Sequence, residues 1–593
     1  MPSFEDPSHN SSQSAQTHPS PAPSDQSSSL AEAHDLSRNE PPSLDSEFFA
    51  TQDMLVFRFC ERLTSSLRKS DPGEGLFLTR DLLAEHFEVL DSVVLEQGFP
   101  SLSESEGELQ RFFVGLASYY PEEAYAGLML LANRQFKRGV LFSSHDTYMS
   151  AHTVSQLFID SYAQVLFGAK AWALGVQSLL DSTEPARAES VMPLGESFSD
   201  PSQPLEVQTE FWFTSGLVAF HRPDFRAARE AFGRASELAV ELQGFHARET
   251  RAKIFLSEAR AAEQAGEIAL AQSLFRRNAR ATSEDFGAGS SEAFESQEHL
   301  VRFYRELGDF EKAVGAAEVL CTRGQELSSE AGESASALLA LCLAEAENLN
   351  RAEAVMLPLW QRALTSPAEA PEYLDVVLQT RALIAEKRGD QEDALLLRHM
   401  VLENAKTSGD YAREEIALRS LALAEALSAI GRKEEAEQLC DSCIADWNEG
   451  EFSEISLVTA YHIKGALLRE REAYEEAVDL YLTAQLFVEN RDRLSIESSF
   501  LYLGCAVTLL EHPLLSETDR LEQAIEMAEL GFDLLQRSEL SNSSHALPFL
   551  DLLSRLYDLT DRHEEKVKID TERQVLGFLL NLDEDSGGDR EAA

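Results

Sequence analysis

Cys440-Asp441-Ser442-Cys443 is the strongest chemical motif in this 593-residue chain. Two thiols three residues apart form half a zinc site or a redox pair when a helix presents them to solvent. No second Cys-x-x-Cys completes a four-sulfur site, because Cys60, Cys321, Cys342 and Cys505 stand alone. His145 and His152 lie seven apart with Asp146 between them. Two turns of helix is too wide for a metal pair, which wants a spacing of three or four. Asp146 reads instead as a residue at a helix N-terminus, near Ser144 as a cap. The run LDEDSGGDRE at 582–591 is acidic but lacks the alternation of a calcium loop. No GxxxxGK[ST], GxSxG or strand-linked GxGxxG is present. These residues predict neither an enzyme nor a cofactor.

Charge narrows the partners. The chain has 51 basic and 102 acidic residues, a formal net charge of −51. Such a surface repels phosphate backbones, which argues against nucleic acid. Only 11 of the basic residues are lysine. Few lysines among many carboxylates suit a salt-rich cytoplasm or a GC-rich genome, and ordinary solubilising acidity suits them equally. No apolar run approaches the roughly 20 residues that cross a bilayer. LFGAKAWALGV is short and carries Lys170. The N-terminus lacks the basic, apolar and cleavage regions of a signal peptide, so a cytoplasmic protein without membrane contact is expected. Six cysteines in this length do not make a disulfide framework.

The elements that must carry any site come from periodicity. Residues 1–45 are rich in Ser and Pro with few large apolar side chains, and are expected to be disordered. From 46 to 181 apolar residues recur at spacings of three and four, a helical region whose role the sequence leaves open. Residues 182–204 read as a loop or linker. From 205 to 580 the chain repeats itself, and 581–593 reads as an acidic disordered tail. HRPDFRAAREAF at 221–232 returns as ELGDFEKAVGAA some eighty residues later. Aligning the small residue after each turn gives Ala228, Ala271, Ala313, Ala354, Ala394, Ala436, Ala477, Ala524 and a weak last member, Val567. The mean interval is about 42 residues, and repetition on this scale marks a helical solenoid. Pro223, Gly266, Gly308, Gly389 or Gly431 stands five residues before the aligned position, where a helix must end.

Two copies carry a family resemblance. WFTSGLVAFHRPDFRAAREAFGRA supplies Trp212 and Gly216, then Ala228, Phe232 and Ala235. YHIKGALLREREAYEEAVDLYLTA supplies Tyr461, Gly465, Ala477, Tyr481 and Ala484 at the same positions. This pattern resembles the tetratricopeptide repeat (TPR) family. The family's leucine is replaced by Ser215 and Lys464, its tyrosine by Ala219 and Leu468, and the closing proline is missing, although Tyr304 keeps the tyrosine in a third copy. The period is longer than the family's usual 34 and is similar to that of kinesin light chains and MalT-like regulators.

The resemblance implies an all-α, right-handed solenoid of antiparallel helix pairs over about 205–580. Small residues at Gly216, Gly465 and the aligned alanines allow close approach, and Phe232 or Tyr481 fills the wedge between pairs. Cys440 and Cys443 fall at the positions of Phe232 and Ala235, which makes them core residues. The first helix of each pair is expected to line a concave groove. That register points to Lys253, Arg260, His299, Arg302, Arg305, His462 and Arg469, with Glu263, Glu298, Glu306 and Glu425 beside them. The cations would hold carboxylates of a partner, or would merely pair with neighbouring glutamates. The function implied is a non-catalytic scaffold or adaptor for a protein or peptide. The alternative is a sensory module responding to a small effector, as in MalT-like regulators.

Overall fold

The computed structural model describes residues 54–69, 74–97, 100–182, 185–365, 373–408, 413–448, 454–489, 496–513, 516–537, 541 and 544–586. The tail at 1–45 lies outside them, as does 587–593. Residues 581–586 continue the last helix. The chain divides into two compact units, Met1–Ser182 and Thr183–Ala593.

The first unit contains six helices among the described residues: α1 (Met54–Leu67), α2 (Gly75–Gln97), α3 (Pro100–Leu116), α4 (Pro121–Lys137), α5 (Leu141–Ser155) and α6 (Ser161–Asp181). Its core is aromatic and aliphatic, with Phe59, Leu63, Leu83, Phe113 and Leu128 buried together. Gly127 sits where any side chain would run into the Phe113 ring.

The second unit begins inside the segment read as a linker. Pro185–Val191 forms α7 and Met192–Ser199 a 3-10 segment, with Ala188 and Phe198 buried. Ala188 and Phe198 anchor a stretch that composition alone marks as loop.

Nine antiparallel helix pairs follow among the described residues: α8/α9 (Leu205–His221, Phe225–Glu241), α10/α11 (Phe245–Gln264, Ile268–Phe286), α12/α13 (Ser291–Glu306, Phe310–Leu327), α14/α15 (Ser329–Glu345, Leu349–Thr365), α16/α17 (Leu374–Arg388, Gln391–Ser408), α18/α19 (Arg413–Ala429, Lys433–Asn448), α20/α21 (Glu454–Glu470, Tyr474–Glu489), α22/α23 (Ile496–Glu511, Glu517–Arg537) and α24/α25 (Leu547–Leu559, His563–Ser586). No described residue forms a strand. The architecture is a TPR-like α-solenoid.

The twice-written phrase is a complete turn instruction. Asp224 and Asp309 cap their helices, each side chain accepting the backbone N–H three residues on. Phe225 and Phe310 open the second helices. Ala228 and Ala313 are fully buried one turn in. Before the cap, one residue takes the left-handed conformation that reverses the chain. Gly266, Gly308, Gly389 and Gly431 do so at φ of 75°, 68°, 83° and 83°, where glycine carries no steric penalty. Glu347, Glu472 and Asp561 hold the same place at 60°, 63° and 55°.

The turns correct two members of the alignment. Glu347 and Asn348 place Ala352, fully buried, at the fourth repeat's packing position, its N–H bonded to the Asn348 carbonyl. Ala354 is exposed. Val567 is 65% exposed, unlike the buried small residue at the other packing positions. Trp212 is half-buried under the Arg234 guanidinium, which lies 4.4 Å from its ring. Gly216, Phe232, Ala235, Ala271, Ala436, Tyr461, Gly465, Ala477, Tyr481 and Ala484 are buried.

Successive first helices touch, α14 with α16, α18 with α20 and α20 with α22, as the inner wall of a coiled array must. The array also coils back on itself. A ring nitrogen of His545, just before α24, lies 2.6 Å from the Leu307 carbonyl oxygen at the α12–α13 turn. Gly308 leaves room for that ring, and Ile268 and Leu307 pack on the apolar cluster of the last pairs.

Candidate functional site

The cysteine pair is structural in its surroundings. Cys440 is fully buried and Cys443 nearly so, within a cluster that includes Leu421, Ala436 and Ile463. All six cysteines are free. Burial pushes the Cys440 thiol up to about 12, which suppresses the thiolate that metal or redox chemistry needs. The histidine pair also has a packing explanation. His145 Nδ1 lies 2.8 Å from the Gly175 carbonyl oxygen, and His152 Nδ1 lies 2.8 Å from that of Gly168. Two histidines seven apart on α5 thus match two glycines seven apart on α6. Ser144 and Asp146 lie inside α5, which starts at Leu141, so neither marks its N-terminus. Buried Ser144 bonds the Ala132 carbonyl at 2.9 Å, tying α5 to α4. Among the described residues no cluster of three or more His, Cys, Asp or Glu is placed to hold a metal. No described helix is long and apolar enough to cross a membrane.

The groove is lined by α12, α14, α16 and α18, with Leu320 and Leu327 of α13 and Arg398 and Val401 of α17, and has a volume of about 930 Å³. Its apolar lining includes Phe294, Leu338, Leu341, Val376 and Leu418. Its polar lining carries six carboxylates, Glu295, Glu298, Glu306, Glu330, Asp375 and Glu415, against four guanidinium groups.

Each of those arginines is already engaged. Arg302 reaches Glu298 on its own helix at 2.6 Å. Arg305 meets Glu345 of α14 through two hydrogen bonds of 2.7 and 2.6 Å. Arg398 does the same with Glu386, both bonds 2.8 Å long. Arg419 of α18 donates to Asp375 of α16 at 2.7 Å. Of the two readings the sequence leaves open for Arg305, a partner's carboxylate or a neighbouring glutamate, the structure shows a glutamate, on the next first helix rather than beside it.

Arg302 and Arg305, both on α12, line this groove. Lys253, Arg260, His299, His462 and Arg469 do not. Lys253 and Arg260 are exposed on α10, and Arg260 lies 3.4 Å from a ring nitrogen of His299. His462 is half-buried on α20, its pKa lowered by burial and by the Arg469 charge. Arg469 approaches Glu511 at 3.6 Å. No repeat motif marks Asp375, Arg398, Arg419, Glu295, Glu330 or Glu415 as groove residues. A signal for some of them exists: opposite charges stand one repeat apart. Arg305 and Glu345 are separated by 40 residues, Lys387 and Glu347 by 40, Asp375 and Arg419 by 44, and each pair meets.

His299 offers a pH probe of the neighbouring α10–α12 surface. Burial, then the charges of Arg260 and Arg302, push its pKa down to about 4, while Glu298 opposes them. The folded state therefore favours neutral His299. That preference is intact above the ordinary value near 6.5 and is lost as pH falls toward 4. Burial raises Glu258 and Glu425, which act with the opposite sign, so global stability is a poor reporter. An NMR titration should find the His299 midpoint near 4, moving upward in Arg260→Ala. A midpoint near 6.5 in the native protein would contradict this geometry.

No protein-family model matches the chain, and no curated protein matches it. Solved structures do resemble it. The apo form of RapI is similar at 12% identity over 65% of this chain and 97% of its own, with a TM-score of 0.42. A Rap protein complexed with competence and sporulation factor is similar at 12% identity over 70% of this chain and 99% of its own, at 0.41. A signal-transduction ATPase with a tetratricopeptide repeat sensor from Pyrococcus horikoshii is similar at 12% identity over 60% of this chain and 53% of its own, at 0.39. Each is a likeness only, and the functional reading rests on this chain's own residues.

Proposed function

We propose that the second unit is a non-catalytic scaffold that holds an extended segment of a partner protein in the inner groove of α12–α18. One observation carries this reading: four successive first helices combine an apolar floor with charged walls in a single groove of about 930 Å³. Packed helices lie 8–10 Å apart, so four of them span about 30 Å. An extended chain covers that distance with about nine residues. The floor would take alternate side chains, and the fixed ion pairs would keep the walls in place while the ligand exchanges.

The test is selection of binders from a random nine-residue peptide library by the full chain. Ser334 lines the groove and is exposed, so Ser334→Trp fills the space without entering the core. Selected peptides should lose at least tenfold in affinity for this variant, with an unchanged melting curve. Peptides that bind the variant as well as the native chain, or a library that yields none, would refute the proposal.

A further inference from the structure

The arginines that line the groove do not make it a carboxylate site. Four guanidinium groups are matched by Glu298, Glu345, Glu386 and Asp375. Glu295 and Glu330 add two more carboxylates to the lining, and no lysine joins them among the described residues. The groove therefore carries a clear negative excess. A second, independent sign is Asp375, only 5% exposed. Its Oδ2 accepts from Gln379 Nε2 and Arg419 Nη2, both at 2.7 Å. Its Oδ1 is buried and has no partner among the described residues. A buried carboxylate oxygen without a donor is costly, and a ligand N–H would remove that cost.

Resting on the groove as a peptide site, we infer that its occupant is cationic: a segment in which lysine or arginine alternates with apolar residues. The ammonium or guanidinium groups meet the glutamates of the walls, and the apolar side chains meet Phe294, Leu338, Val376 and Leu418. Charge excludes the nearer occupants. The chain's own residues 1–45 carry seven carboxylates and one arginine. A second copy brings a net charge of −51. Both are repelled by a negative groove. A free polyamine has the charge but nothing to cover the apolar floor.

The experiment is fluorescence anisotropy on the full chain with two labelled, amidated nine-residue peptides, one alternating leucine with lysine and the other leucine with glutamate. The lysine peptide should bind at least tenfold more tightly. Glu295→Gln with Glu330→Gln should weaken it at least tenfold. Glu434→Gln with Glu476→Gln, exposed on second helices, should change it less than twofold. Spermidine should displace it only at more than ten times the peptide concentration.

Equal effects of the two double variants would mean attraction to the acidic surface at large, and would overturn the inference. Displacement by equimolar spermidine would overturn the peptide assignment. If the glutamate peptide binds as well or better and Ser334→Trp abolishes it, the charge inference fails while the peptide groove stands. If neither peptide binds, or neither responds to Ser334→Trp, both fail.

Discussion

Tyr481→Ala should destabilise the last three helix pairs by about 3–5 kcal/mol, the scale of emptying a buried aromatic site. Tyr481 is 1% exposed and stands between two glycines on neighbouring first helices. A Cβ at Gly465 or Gly504 would collide with its ring, so the ring fills a space that both helices leave open. Its hydroxyl bonds the His462 carbonyl at 3.3 Å, which anchors the ring's far end. Truncation would leave a cavity that two backbones cannot close. The converse change, Gly465→Leu, should overpack the same crossing and cost about 1–3 kcal/mol. In the double variant the leucine should occupy part of the cavity, making the combined loss smaller than the sum. Urea denaturation, with hydrogen exchange to locate the loss in α20–α25, would measure all three. A cost below about 1 kcal/mol for Tyr481→Ala would contradict this packing.

Arg305→Glu should cost about 2–3 kcal/mol, while Arg302→Glu should cost less than about 1. Both residues are arginines of one helix, both line the groove, and both pair with glutamate. Their surroundings separate them. The Arg305 and Glu345 side chains are 26% and 17% exposed, and two short bonds join adjacent first helices. Reversal there would press two carboxylates together in a partly desolvated place. Arg302 is 59% exposed and pairs within one turn, where solvent screens the loss. Arg305 therefore acts as a rivet of the groove wall, and its reversal cannot serve as a clean test of binding. Thermal and urea melts of the two single variants would decide. Equal effects would mean that the cross-helix pair holds nothing that the exposed pair does not.

The helix pairs were legible in the chain because their instructions are local. A capping aspartate and a glycine five residues before a buried alanine each act within a turn or two, and an aromatic wedge acts on the adjacent first helices, so all recur at a readable interval. Where a repeat used other residues for the same job, as Glu347 and Asn348 do, the reading slipped by two positions, from Ala352 to Ala354. Burial of the cysteines also followed from the interval, because Cys440 and Cys443 stand where Phe232 and Ala235 stand.

The groove's electrostatics belong to a different range of interaction. Two of its four arginines, Arg305 and Arg419, are neutralised by a residue about forty positions away, and which one depends on how far each helix is rotated on the next. Arg305 turns to Glu345 rather than Glu306 for that reason, and a row of apparent cations becomes a negatively biased groove. The contact of His545 with Leu307 is more remote still, spanning 238 positions. It arises from the small rotation added by each pair, summed over six of them. Local residue types determined that this chain forms stacked helix pairs. Only the accumulated geometry decided which charges meet, and which residues line the groove.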